Sequence, residues 1–273
     1  DRISLPLAFT LLLAVGLGSV APGRVARLEV LWSRVRLGVT VGAAAAAATV
    51  VVGVRSVPVV IVAGLAGFIV GTILGFFLTQ VRRRRGAGES WGVAALTVVR
   101  NDMGYWGGQV SHVGLALLAL AIATTSALAV RQQVRLAVGE TALVHGYCIR
   151  YEGVERRAFP NRVADVSRFT LLGSDCRTAI AELEPHVNAY PNATQRIATP
   201  AVRTGLVEDV YLSLAGGTEE RVALDVFVFP LQWLVWAGGA IVVAGGVMAL
   251  GRGRRRRRRD EAPGTGAREE ARV

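Results

Sequence analysis

Residues 106–130 read WGGQVSHVGLALLALAIATTSALAV, and residues 131–138 continue RQQVRLAV. The first stretch contains no Asp, Glu, Lys or Arg and exceeds the ~20 residues that carry a helix across a bilayer. Directly after it the period changes. Val134, Leu136 and Val138 alternate with Arg135 and Ala137, the pattern of a strand with one buried face. A spanning helix that hands over at once to a half-buried strand sets the architecture. It predicts a polytopic α-helical membrane protein with an inserted extracytoplasmic antiparallel β domain.

Working outward from that junction, short alternating stretches continue through Tyr147-Cys148-Ile149-Arg150-Tyr151, separated by Gly-Glu, Gly-Ser-Asp and Gly-Gly turns. We assign residues 131–229 to the outer β domain, residues 231–250 to a further span, and residues 251–273 to a tail that is basic, then disordered. Towards the N-terminus, residues 86–105 read as a cytoplasmic linker rich in glycine and polar residues. Residues 1–85 hold three spans. The first, Ile3 to Val20, stops at Ala21-Pro22-Gly23. The second, Leu37 to Val54, includes six consecutive alanines at 43–48 and is the least hydrophobic. The third, Val57 to Val81, ends at Arg82–Arg85. Five spans are thus expected.

The net charge of +11 suggests nucleic acid until it is located. Arg82–Arg85, with Arg252 and Arg254–Arg259, account for the whole excess. Each cluster follows an apolar span, where arginine marks the cytoplasmic face, and no aromatic residues interleave the arginines. Topology explains the charge, no nucleic acid partner is expected, and contact with anionic lipid headgroups follows. With both clusters inside, residues 131–229 lie outside and the C-terminus is cytoplasmic. Asp1 would then also lie outside, in a chain that opens without an initiator methionine or export signal. We therefore expect further spans upstream, in a larger protein or a split-gene partner.

One histidine, His112, falls inside a predicted span, six residues into it or about 9 Å along the axis. A neutral imidazole in lipid needs partners for its N–H and its lone pair. Gly104, Gly108, His112 and Ala116 share a face, flanked by Ser111 and Gly114, so a helix or a flat macrocycle can approach closely. Two readings stand side by side: a hydrogen bond to a neighbouring helix, or an axial ligand to haem iron. His145, read as a strand start, and His186, beside Pro185, have no second ligand at useful spacing. Cys148 lies on a strand, and Cys176 is read as starting one. An outer location permits a disulfide between them, and two separate thiols are equally compatible with the spacing. Trp233 and Trp236 read as interfacial anchors. Gly238 with Gly245, and Gly239 with Gly246, suggest a packing seam. Asn192-Ala193-Thr194 matches a glycosylation sequon.

The element Trp106-Gly107-Gly108-Gln109-Val110-Ser111-His112-Val113-Gly114 resembles the Trp-Gly…Ala-His-x-Gly element of the cytochrome c-type biogenesis protein CcmF family of haem lyases. The resemblance continues through Gln133–Thr141, Gly146-Tyr147, Tyr151–Val154, Pro160-Asn161, Thr199–Gly205 and Glu208–Tyr211 to Phe229–Trp236. It covers about residues 91 to 250, the family's C-terminal region, and implies covalent attachment of haem to apocytochrome c during cytochrome c maturation in a bacterial inner membrane. It implies haem b as cofactor, with His112 as one of two transmembrane ligands. Implied partners are the haem chaperone CcmE, CcmH/CcmI-type subunits, apocytochrome c and the N-terminal portion of the same protein. The family's other haem histidines and its tryptophan-rich segment precede the residues matched here, so this piece alone is not expected to be active. Two non-enzymatic alternatives are a membrane-anchored scaffold for cytochrome assembly and a transporter fragment.

Overall fold

Apolar side chains without breakers build the long helices, and glycine decides how closely they pack. The computed structural model describes residues 4–19, 28–191, 193–218 and 220–260. Helices α1 (Ser4–Gly18), α2 (Leu28–Val51), α3 (Val57–Gly86), α4 (Trp91–Asn101) and α5 (Met103–Leu128) precede ten strands, and α6 (Trp233–Asp260) follows them. The chain divides into a helical unit and a β unit, the latter covering Thr124–Trp233.

Within the described residues, four stretches are long and apolar enough to cross a membrane: Trp32–Val51, Val57–Gly86, Met103–Leu128 and Trp233–Leu250. Among the described residues helix α1 is shorter than the expected first span. Its 15 residues rise about 22 Å, against ~30 Å of hydrocarbon; Ile3 and Val20 lie outside the described residues. So do Arg24 and Arg27, Asn192 of the sequon, and residues 261–273, where the disordered tail is expected.

The low hydropathy of the second span has a packing cause. A Cβ on Gly67 would stand 2.9 Å from Ala45 Cβ, and one on Gly71 would stand 2.9 Å from Gly38 Cα. Helices α2 and α3 therefore meet backbone to backbone, and small residues do in lipid what large apolar ones do in water.

The expected linker over residues 86–105 is instead mostly helix. After the Gly86-Ala87-Gly88 break, Ser90 caps α4 by accepting from Val93 N at 3.5 Å. Ala94 and Val98, one turn apart, are buried at 0% and 8% exposure, while Arg85 stacks over Trp91 at 4.8 Å. At 11 residues α4 is too short to span and has the apolar surface of an interfacial helix. Helix α5 accordingly begins at Met103, before the expected start at Trp106. The basic stretch after residue 250, expected as tail, continues α6 as helix to Asp260.

The β unit is an antiparallel sandwich. Strands β1 (Val130–Ala137), β8 (Ala201–Arg203), β9 (Glu208–Gly217) and β10 (Arg221–Pro230) form one sheet, ordered β1-β10-β9-β8. The other is ordered β2-β3-β4-β6-β7, from β2 (Thr141–Val144), β3 (Tyr147–Phe159), β4 (Arg162–Leu172), β6 (His186–Ala189) and β7 (Ile197–Thr199); β5 (Ala179–Leu183) also pairs with β4. Ile149, Tyr151, Phe169, Leu171, Leu212 and Leu224, all at most 1% exposed, fill the space between the sheets. A bulge between Tyr151 and Gly153 interrupts the β3–β4 register. Gly153 takes φ +125° there, a conformation open to glycine at little cost.

Two placements differ from expectation. His145 is not a strand start but the first residue of the two-residue β2–β3 turn, with φ 49° followed by 82° at Gly146, the geometry that matches strand twist. Cys176 lies in the β4–β5 loop with φ 53°. There it forms a disulfide with Cys148, closing a 28-residue separation with Cα atoms 5.2 Å apart. Closing a loop of that length stabilises by about 3.5 kcal/mol in the chain-entropy account.

Outward-facing carboxylates on β3, on β4 and directly after β5 are tied to arginines. Glu152 is held below the usual carboxylate range by hydrogen bonds from Arg150 and then Thr170. Asp165 is held low by Arg156 and then Arg196, and Glu184 by Arg157. Depressed carboxylates contribute stability that is complete above their unfolded values of about 4. That stability is lost as pH falls through the lower folded values. Tertiary near-UV dichroism is therefore expected to hold from neutral pH to about pH 4 and to fail below it. Arg157→Ala should shift that acid midpoint upward.

Candidate functional site

Helix α5 carries three polar residues along one stripe, Tyr105, Gln109 and His112, spaced four and three apart and therefore on one face. Because α5 starts at Met103, His112 stands about 14 Å along the helix axis, deeper than the sequence suggests.

All three side chains meet Ser19, at the end of α1. Ser19 Oγ lies 3.1 Å from His112 Nδ1. Tyr105 donates its hydroxyl proton to the Ser19 carbonyl oxygen at 2.7 Å, and Gln109 Nε2 donates to the same oxygen at 3.2 Å. That carbonyl belongs to a helix terminus, where no backbone donor remains. Among the described residues His112 Nε2 makes no hydrogen bond, and Gln109 Oε1 is buried without a partner. Phe76, Phe77, Tyr105 and Trp106 close the α4-proximal end of the stripe with ring contacts of 5.2 to 6.1 Å.

The small-residue face works differently from the expectation. Helix α6 packs not on the Gly108–His112 row but on its neighbour, Gly107, Ser111 and Gly114. Ser111 Oγ donates to Val242 O at 3.1 Å. A Cβ on Gly107 would stand 2.6 Å from Gly245 O. The reason is reciprocal backbone access: Gly238 and Gly245 on α6 face these positions, whereas Gly239 and Gly246 have nothing within 4 Å of a built Cβ. Gly108, one turn before His112, likewise has nothing within 4 Å among the described residues, which leave that side of α5 open beside the imidazole.

Among the described residues no group of three or more His, Cys, Asp and Glu could hold a metal ion. His145 Nε2 stands 3.7 Å from Glu208, and His186 Nδ1 lies 3.1 Å from the Glu184 carbonyl, so neither gathers a ligand set. A metal at His112 would have to bring its other ligands with it, as porphyrin iron does with four nitrogens. One unpartnered Nε2 next to an open glycine face fits that requirement.

Residues 127–230 match the family described as CcmF C-terminal beta-sandwich. That match falls on the β unit. The chain is 27% identical over 146 residues to cytochrome c-type biogenesis protein CcmF of Pseudomonas aeruginosa, covering 53% of this chain and 22% of that protein. With cytochrome c-type biogenesis protein CycK of Rhizobium meliloti it shares 27% identity over 207 residues, or 75% of this chain and 30% of that protein. The solved structure of cytochrome c heme lyase CcmF superposes with a TM-score of 0.76 at 22% identity, covering 91% of this chain and 39% of that one. The chain spans between a fifth and a third of the length of these two curated relatives.

The sequence pointed to His112 but not to Ser19, Tyr105 or Gln109 as a network. The Tyr105-Gln109-His112 spacing was legible as a polar stripe on an otherwise apolar helix. Its meeting point was not, because Ser19 lies 93 residues before His112.

Proposed function

We propose that this chain is the C-terminal part of a membrane haem lyase that attaches haem covalently to apocytochrome c, and that His112 is one axial ligand of a b-type haem. The observation that carries this reading is His112 itself: an imidazole deep in a spanning helix, Nδ1 engaged and Nε2 without a partner beside an open glycine face. The names of the relatives support the reaction, and the lone-ligand chemistry supports the cofactor.

When bound, a b-type haem supplies one-electron redox chemistry. The chain's own residues hold and shield it. His112 would hold the iron through Nε2, Ser19 would restrain the ring, and the close α5–α6 seam would keep lipid from one side of α5. In this reading a residue from the N-terminal portion of the same protein would complete the iron's ligand set.

Orientation follows the arginines. Arg83, Arg84 and Arg85 in the last turn of α3, and the basic stretch of α6, belong on the cytoplasmic side of the inner membrane. Residues 131–229 are then periplasmic, in an oxidising compartment suited to the Cys148–Cys176 bond. There the β sandwich would meet the haem chaperone CcmE, CcmH/CcmI-type subunits and apocytochrome c, while the arginines contact anionic lipid headgroups.

The test is a difference spectrum of the protein co-expressed with its N-terminal portion. Reduced b-type absorbance is expected, and His112→Ala should remove most of it. An unaltered spectrum in that variant ends the ligand assignment.

A further inference from the structure

We infer that Ser19 is a positioning residue that fixes the tautomer of His112: its hydroxyl oxygen accepts a hydrogen bond from Nδ1–H, so the lone pair stands on Nε2, the nitrogen left for a ligand. The identity of that ligand rests on the haem reading above; the tautomer does not.

The deduction counts protons. A serine hydroxyl carries one hydrogen and can accept others. Ser19 Oγ lies 2.7 Å from the carbonyl oxygen of Val15, which has no proton to give. The hydroxyl hydrogen is therefore committed to Val15. Towards His112 Nδ1, at 3.1 Å, Oγ can only accept. A neutral imidazole has one protonated and one bare nitrogen, so Nδ1 is the protonated one and Nε2 is bare. In hydrocarbon no water is present to satisfy that lone pair.

Ser19 is held for this role by the same helix that carries His112. Its carbonyl oxygen accepts from Tyr105 and from Gln109, two turns and one turn before the imidazole. The serine is itself 4% exposed. Ser19 is thus fixed at both its polar groups, the carbonyl by α5 and the hydroxyl by α1. This is the arrangement by which an outer hydrogen bond orients a ligating histidine and raises its basicity towards the metal.

The experiment uses the chain together with its N-terminal portion, in detergent, as Ser19→Ala, Ser19→Thr and His112→Ala. Three quantities are read: haem retained through purification, the reduction midpoint, and thermal stability. Ser19→Ala leaves the Nδ1 proton without its acceptor and the ring freer to turn. Haem retention is expected to fall about 10-fold, and the midpoint to rise because a less basic imidazole stabilises the ferric state less. Ser19→Thr keeps a hydroxyl that can make the same back-bond and should restore both.

Retention and midpoint unchanged in Ser19→Ala, with haem lost in His112→Ala, would overturn the inference and leave the ligand reading intact. A fall in thermal stability with an unchanged midpoint would assign the hydroxyl to packing alone and likewise overturn it. Ser19→Thr behaving like Ser19→Ala would show that the hydroxyl is not the operative group. Full haem in His112→Ala would remove the ligand reading itself, whatever the serine variants do.

Discussion

Gly114→Leu is expected to separate α5 from α6. A Cβ at Gly114 would already stand 2.7 Å from Gly238 O and 2.7 Å from Val242 N, and both are backbone atoms that cannot swing aside. The contact is mutual, since a Cβ at Gly238 would come within 2.9 Å of Gly114 O. Inserting a branched side chain forces the helices apart, at a cost of about 3 kcal/mol, the upper end of the usual overpacking penalty. Ser111 would lose its bond to Val242 O as well. Heating the detergent-solubilised protein and measuring the fraction that stays monodisperse should show a clear drop in midpoint. Gly108→Leu is the control: with nothing within 4 Å of that position, the fold should tolerate it. Equal behaviour of the two variants would mean that α6 does not pack on the Gly107–Gly114 row.

The second large effect belongs to the β unit. Phe169 is fully buried, stands opposite Tyr151 across the β3–β4 pair, and contacts its ring at 5.1 Å between centroids. Phe169→Ala removes that ring from the middle of the sandwich and leaves a cavity, costing about 3–5 kcal/mol. Domains of this size have roughly 5–15 kcal/mol in total, so much of the margin disappears. Limited proteolysis of the full chain should cut the variant's β unit at temperatures where the parent resists. Phe159→Ala, at a side chain 42% exposed, should change the cleavage pattern little. Similar resistance in all three proteins would place the core elsewhere.

How much of this was legible in the sequence depended on the range of the interactions. Spans α3, α5 and α6 declared themselves because lipid imposes a length and excludes charge, a constraint read residue by residue. The alternation in β1 and β3 was equally local. Helix α4 was missed because its glycines and polar neighbours suggested a loop. Its real signals were the Ser90 cap and the Ala94–Val98 spacing, and these carry weight only once there is a surface to bury them against. The choice between Gly238/Gly245 and Gly239/Gly246 could not be made from periodicity, since both pairs repeat alike. What decides is which pair faces Gly107 and Gly114. The pairing of Cys148 with Cys176 also needed coordinates, because the loop at Gly173–Thr178 must fold back over β3 before the two sulfurs can meet. For the candidate site, a histidine within a span was visible, while the proton arithmetic that gives it a direction depended on a residue from another helix.

The register of the β sandwich has one more implication. Its opening strand and its closing strand are neighbours, with Val130 opposite Val228, so the two points where the chain enters and leaves are about 5 Å apart. A module whose ends coincide can be added to or removed from a helical hairpin without stretching either arm. The sandwich is in that sense a cassette. A short glycine bridge in its place, or a sandwich borrowed from a distant relative, would satisfy the same geometric demand, so the sandwich and the helices can be varied separately.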